Sequence, residues 1–207
     1  LASLTPVGVV VDEADAALGN REQGGDSGTQ QRVFAQIATF MADTRNRGKV
    51  LWFLITARPD LLPIDLKRQG RAEEHIPLFY PETLAEYDEL FAVMKKKLAL
   101  QTTVARLSDV ATEAELRGLS GSDLEAVLVR AILEAEAEES AEVKLEHLKR
   151  AFADFIPTTS NVERELQILA AVLECTSREL LPPAFRDLDR AVIQARISEI
   201  KRELKSS

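Results

Sequence analysis

The apolar run VGVVV at residues 7–11, closed at once by Asp12 and Glu13, is the tightest constraint in this chain. A short apolar run without polar alternation suits a strand buried on both faces, the usual condition of a parallel sheet. A second such run, KVLWFLIT, ends at Thr56. Between the two, Val33, Phe34, Ile37, Phe40 and Met41 recur at helical spacing within residues 29–47, and Gly48 stops the pattern. Strand, amphipathic helix, strand is the alternation of an α/β fold with a parallel sheet. Open sheets of that kind bind ligands beyond the carboxyl ends of their strands, where Asp12 and Glu13 fall. The segment NREQGGDSGTQ ahead of the helix reads as a solvated loop. After Thr56, ARPDLLPIDLKRQGR predicts a turn with two prolines and a short basic helix stopped by Gly70, and EHIPLFY at residues 74–80 predicts a weaker third strand.

Beyond Pro81 the β signal ends. PETLAEYDELFAVMKKKL, SDVATEAELRG, SGSDLEAVLVRAILEAEAEE and VKLEHLKRAFADF are successive helical patterns, and the stretch from Asn161 to Leu204 adds two more helices broken at Pro182 and Pro183. Leu166, Leu169, Leu173 and Leu180 line the first of these; Phe185, Leu188, Val192, Ile197, Ile200 and Leu204 line the second. They are expected to form a helical hairpin, an arm against a neighbouring subunit, or simple packing onto the preceding helices. The expected organisation is an α/β part over residues 1–80, an all-α part over 81–157 and a helical extension over 158–207.

Charge and composition remove several classes. With 34 acidic against 26 basic residues and a net charge of -8, the chain is not built mainly to sheath phosphate backbones, so nucleic acid is not the expected partner. The single cysteine, Cys175, cannot form an internal disulfide and fits a reducing, cytoplasmic setting, on the apolar side of a helix. No apolar run approaches the roughly 18 residues that span a bilayer. The chain begins at Leu1, almost directly before a strand, which suggests the interior of a longer polypeptide. His75 and His147 have no partners at metal-ligand spacing and suggest structural or surface roles.

Two adjacent carboxylates at a strand end suit phosphate chemistry: one can hold Mg²⁺ through retained water, and the next can polarise the water that attacks a γ-phosphate. A solvated strand edge or a helix cap explains the same pair about as well. The letters DEAD at residues 12–15 also spell the box of an RNA helicase. Such an enzyme needs Ser-Ala-Thr at the end of the next strand and a second α/β domain. Here the next strand ends in ITARPD and helices follow. A DEAD-box helicase fragment is therefore the third-ranked reading.

Several spaced segments fit another family in order. VVVDEADAAL, then ITARPDLLPIDLKRQGRAEEHIPLFYP, then LRGLSGSDLEAVLVRAI, then VKLEHLKRAFADFIPT resemble the AAA ATPases over roughly residues 5–157. They correspond to that family's Walker B segment, sensor-1 strand, arginine-finger region and helical lid. The resemblance implies a partial P-loop NTPase parallel sheet followed by an all-α lid and a C-terminal helical extension. It implies that Asp12 serves Mg²⁺ and that Glu13 is the catalytic base. It also implies that Arg68 and Arg71 in RQGR are arginine fingers, whose guanidinium forks stabilise γ-phosphoryl charge on a neighbour's nucleotide. For Arg68 alone, a solvated cation at a helix end is the competing explanation. Ser122 and Glu125 read as a capping box, with Gly121 open to close approach; the resemblance adds adenosine contacts for Gly121 and Ser122.

Two departures from the family pattern matter. The sensor-1 segment commonly carries an asparagine where this chain has Ala57, which cannot donate a hydrogen bond. Either Thr56 substitutes in part, or turnover is slow. No G-x-x-x-x-G-K-[ST] phosphate loop occurs in the sequence. The family's order puts that loop, and the sheet's first strand, ahead of Leu1. The strand would lie between the one ending at Thr56 and the one at residues 75–79, so the isolated chain is expected to be marginal, with an unpaired strand edge. The leading expectation is the C-terminal half of an ATPase that uses ATP and Mg²⁺ in a ring, of six subunits, to remodel macromolecules. The alternative is a nucleotide-independent helical interaction module derived from such an ATPase.

Overall fold

Strands β1 (Val7–Val11) and β2 (Val50–Leu54) pair in parallel, in register from Val7 opposite Val50 to Val11 opposite Leu54. The computed structural model describes residues 6–18, 27–157 and 160–206. Two compact units emerge, Leu1–Leu78 with Asn161–Ser207, and Phe79–Ser160. The segment expected as a separate extension thus belongs to the first unit.

Parallel strands require a crossover, and helices α1 (Ala14–Leu18) and α2 (Ser27–Ala42) lie between them in the chain. On one face of the sheet, Val11, Trp52 and Leu54 pack with Phe34, Ile37, Ala38 and Met41 of α2 and with Leu18 and Leu66. Phe40 meets Trp52 edge-on at 6.2 Å between ring centroids, the geometry that aromatic quadrupoles favour. The opposite face, with Val10, Leu51, Phe53 and Ile55, is exposed. Helix α2 stops at Ala42, short of the expected Arg47, because Asp43 caps a separate turn over Thr44–Asn46 by accepting from the Arg45 backbone N–H at 3.0 Å. Gly48 then reverses the chain at φ +70°, a conformation that only glycine adopts without cost.

Two sequence expectations fail in this unit. Residues 74–80 form no strand: among the described residues the sheet has only β1 and β2. A strand needs a ladder neighbour, and Pro77 cannot donate to one. The His75 backbone N–H donates instead to Thr176 Oγ1 at 3.0 Å. No basic helix forms after Pro63 either. The Leu66 and Lys67 N–H groups reach back only three residues, to Pro63 and Ile64, and the Ala72 N–H closes a loop on the Leu66 carbonyl.

The C-terminal helices α7 (Asn161–Glu174) and α8 (Arg190–Ser206) pack on each other, and α7 also packs on the turn Pro59–Leu61. The buried stripe of α8 is Ile193, Ile197 and Ile200, while Val192, expected in it, is 61% exposed. Arg196 grips Glu165 with two bonds of 2.7 and 2.9 Å. Cys175 lies just past α7 and half-buried, not on the helix's apolar side, with its thiol toward the Ser177 carbonyl at 3.0 Å.

The second unit holds α3 (Leu84–Lys97), α4 (Glu113–Leu116), α5 (Gly121–Ala137) and α6 (Leu145–Asp154) around Tyr87, Phe91, Leu124, Val127, Leu128, Ala131 and Leu148. Reciprocal capping boxes start the helices at Thr83 with Glu86, Thr112 with Glu115, and Ser120 with Asp123. Each satisfies two backbone donors that a helix start leaves open. His147 is buried as a structural residue: its Nδ1 accepts from the Lys144 N–H at 3.0 Å and its Nε2 faces Glu138 Oε2 at 3.0 Å.

Asp60 ties the turn after β2 to α8 through Lys201 at 2.6 Å and to Arg58 at 3.0 Å. Burial pushes its carboxyl up, but the hydrogen bonds and charges of Arg58 and Lys201 outweigh it and hold the pKa at about 2. A carboxyl held below its unfolded value stabilises the fold above about pH 4, and the contribution disappears as pH falls from about 4 to about 2. Replacing Asp60 with Asn should cost on the order of 1 kcal/mol at pH 7, allowing for solvent screening. Urea midpoints of parent and variant should converge as pH drops through that window; a gap that stays constant would show that Asp60 is not the responsible group.

Candidate functional site

The parallel register sets the two strand ends side by side. Beyond Leu54 the pairing continues, with the Ile55 N–H donating to the Val11 carbonyl at 2.9 Å and the Ala14 N–H donating to the Ile55 carbonyl at 2.9 Å. Asp12 and Glu13 therefore leave β1 next to the point where Thr56 leaves β2.

Asp12 is exposed, and its Oδ1 accepts from the Glu13 N–H at 2.9 Å. Among the described residues no group of three or more His, Cys, Asp or Glu side chains could cage a metal. One exposed carboxylate at a strand end fits an ion that keeps most of its water and takes its other ligands from phosphates, as Mg²⁺ does. Glu13 is also exposed, and its backbone sits at φ +48°, in the left-handed region. A non-glycine residue there carries strain of about 1–2 kcal/mol, and such outliers collect at functional sites. Its carbonyl accepts from the Ala16 and Ala17 N–H groups, so the strained turn launches α1 directly off the strand.

The Thr56 hydroxyl donates to Asp15 Oδ1 at 2.5 Å and accepts from the Arg58 N–H at 2.9 Å. Its one proton is thus committed to Asp15, and positioning a water by donation, the substitution expected for the absent asparagine, requires breaking that bond. Ala57 is exposed at the following bend. Asp15 gave no signal in the sequence beyond being the last letter of DEAD; only the parallel register shows that it meets Thr56.

Arg68 and Arg71 lie on the loop after Pro63, and among the described residues no hydrogen bond or ion pair joins them to Asp12, Glu13 or Thr56. Leu66 anchors the loop in the core, and Gly70, at φ +83°, turns it with its N–H held by Glu73 at 2.8 Å. The Arg68 side chain is 68% exposed and pairs with Asp65 at 3.4 Å. Arg71 folds back, one guanidinium nitrogen donating to the Asp65 carbonyl at 2.6 Å. Gly121 and Ser122 belong to the helical unit. There the capping box is Ser120 with Asp123, not Ser122 with Glu125, because α5 begins at Gly121 and places Ser122 inside its first turn. A Cβ at Gly121 would meet the Met94 methyl at an ordinary 3.7 Å, so packing does not require glycine there.

Among the described residues no helix is long and apolar enough to cross a membrane. Residues 2–80 match the family of ATPases associated with various cellular activities, AAA. The chain is similar to a cell division cycle protein 48 homolog of Archaeoglobus fulgidus, 30% identical over 75% of this chain and 22% of the relative. It is 35% identical to the uncharacterized AAA domain-containing protein ycf46 of Trieres chinensis, over 56% of this chain and 24% of that protein. A proteasome-activating nucleotidase of Methanococcus maripaludis is 30% identical over 72% of this chain and 36% of its own length. The chain spans between about a fifth and two fifths of these curated relatives. With the strand-end carboxylate pair in place on a parallel sheet, these matches identify residues 2–80 as a segment of the AAA ATPase family.

Proposed function

We propose that this chain is the C-terminal half of an AAA ATPase, contributing hydrolytic carboxylates, a helical lid and arginine fingers to a ring of six subunits that remodels proteins or other macromolecules. ATP and Mg²⁺ are the cofactors of this reading. The observation that carries it is the juxtaposition of Asp12 and Glu13 with Thr56 at the carboxyl ends of paired parallel strands, locked by Thr56 on Asp15.

In that role Asp12 holds Mg²⁺ through water, and the ion, when bound, neutralises charge on the phosphates. Glu13, exposed on its strained turn, orients and polarises the attacking water. Thr56 fixes the sensor strand to the start of α1. Arg68, exposed on its loop, is presented to a neighbour's nucleotide, and Arg71 keeps further guanidinium donors besides the one on Asp65. Gly121 and Ser122 contribute adenosine contacts from the lid. The exposed apolar face of the sheet supports the view that more chain belongs here, since parallel sheets are covered on both faces. The similarity to a proteasome-activating nucleotidase supports a macromolecular client. Ala57 favours the alternative, a module that docks on partners without hydrolysis, and the intact Asp12, Glu13, Arg68 and Arg71 oppose it.

In the full-length protein, Glu13→Gln should lower ATP turnover by roughly 10²–10⁴-fold with ATP still bound; turnover at the parent rate would remove Glu13 from the mechanism. Arg71→Ala should be inactive alone and regain activity in mixed rings with finger-competent subunits, measured as turnover against mixing ratio. Normal hydrolysis by Arg71→Ala rings would overturn its assignment. Glu13→Gly should also lose turnover, yet be more stable than Glu13→Gln by up to about 1 kcal/mol, because glycine relieves the left-handed strain. Chemical denaturation of the two variants side by side checks this.

A further inference from the structure

The arginine loop has no regular helix or strand: beyond Leu66 in the core, its internal bonds are isolated turns, among them the Ala72 N–H on Leu66, the Arg71 N–H on Arg68, the Gly70 N–H on Glu73 and the Arg71 guanidinium on the Asp65 carbonyl. Its two ends, however, are fastened to the helix that follows the lid in the chain. At the near end, Lys67, immediately before Arg68, reaches Glu174 of α7 at 2.6 Å and also donates to the Pro59 carbonyl at 3.0 Å, with both charged side chains largely buried at 15% and 25% exposure. At the far end, the His75 N–H donates to Thr176 Oγ1 at 3.0 Å, and the His75 ring lies between the Glu174 carbonyl at 2.7 Å and the Ala72 carbonyl at 2.9 Å. Both ends thus converge on the last turn of α7 and the residues just past it.

We propose that the C-terminal helical pair is a positioning device for the arginine fingers, with Lys67, Glu174 and His75 as positioning residues that fix where Arg68 and Arg71 are presented. The proposal rests on the reading of those arginines as fingers. A finger that serves a neighbour's nucleotide must be placed to within about 1 Å, since a displacement of that size costs up to about 10²-fold in rate. Isolated turn bonds leave such a loop room to shift, and here the long-range ties that fasten its ends are on Glu174 of α7 and Thr176 just past it. The Lys67 ammonium is suited to the task because it bonds at once to the carboxylate on α7 and to the backbone of the turn after β2, on which α7 packs. The same turn is tied to α8 by Lys201 on Asp60, and Arg58 in it carries the N–H that bonds Thr56. The helical pair therefore bears on the loop that would serve a neighbour and on the strand end that would serve its own nucleotide.

The test uses the full-length protein with Lys67→Met and, as a variant that keeps side-chain volume, Glu174→Gln. Lys67→Met should lower kcat about tenfold or more, up to the 10²-fold of a misplaced group, with the dissociation constant for ATP unchanged. Amide hydrogen exchange over residues 66–72 should accelerate while β1 and β2 keep their protection. Glu174→Gln should show the same pattern at smaller amplitude, and Lys67→Arg should recover most of the turnover. In an Arg68→Ala/Arg71→Ala background, Lys67→Met should cause no further loss, because the groups it positions are gone. An equal fold-loss in that background, or unchanged loop exchange in both Lys67→Met and Glu174→Gln, overturns the proposal alone. Normal turnover by Arg68→Ala/Arg71→Ala overturns the finger reading and the proposal with it.

Discussion

The parallel pairing of β1 with β2 is the contact on which the rest of the first unit depends. Its register carries past the strands into the Ile55 and Ala14 hydrogen bonds, so two chain segments more than forty residues apart leave the sheet at one edge. Asp12, Glu13, Asp15 and Thr56 are all placed by that edge. Asp12 and Glu13 are presented because the strand ends there, and Glu13 is driven into a left-handed turn because the chain must enter α1 at once. Thr56 can reach Asp15 only in this register. Sliding β1 by a residue would turn Val11 out of the core, or sliding β2 would turn out Trp52 and Leu54, and either slip would break the Thr56–Asp15 bond, so packing and site geometry are fixed by the same ladder.

What could be read from the sequence divides along the range of the forces involved. The two strands, the amphipathic α2 and the change to helices after Pro81 follow from periodicity, which is local, and the structure has them, but the burial expected on both faces of the strands is found on one face alone, with Val10, Leu51 and Phe53 exposed on the other. The expected third strand over residues 74–80 fails because strand formation depends on a neighbour elsewhere in the chain, which no local pattern can supply. The short basic helix after Pro63 fails because the Ala72 bond to Leu66 and the Lys67 grip on α7 pull that segment into a loop. In the lid, both Ser120 and Ser122 have a carboxylate three residues on; only the entry of Leu124, Val127 and Leu128 into the core selects the earlier start. At the site, Asp12 and Glu13 were legible from strand-end position. The Asp15 partnership, the committed proton of Thr56 and the Lys67–Glu174 tie, spanning 107 residues, were not.

The C-terminal segment gains its meaning from where its ion pairs end. Surface pairs contribute little to stability, yet the pair of Lys67 with Glu174 is sheltered, Asp60 is sheltered in its pair with the more open Lys201, and both pairs land on the two loops that bear candidate site residues. A helical pair needing only an apolar partner would dock through Ile193, Ile197 and Ile200 without such specificity. The polar ties determine which loop conformation accompanies docking. In this way a segment outside the recognisable family motifs is coupled to both halves of the proposed chemistry.

The most direct test of the central claim is a structure of the full-length protein bound to ADP, aluminium fluoride and Mg²⁺. The account predicts a metal-bound water on Asp12, the Glu13 carboxylate on the water in line with the fluoride, and a guanidinium from the Arg68–Arg71 loop of an adjacent subunit at the fluoride edge. A nucleotide seated away from the β1 and β2 ends, with Asp12 and Glu13 facing bulk solvent, would contradict it.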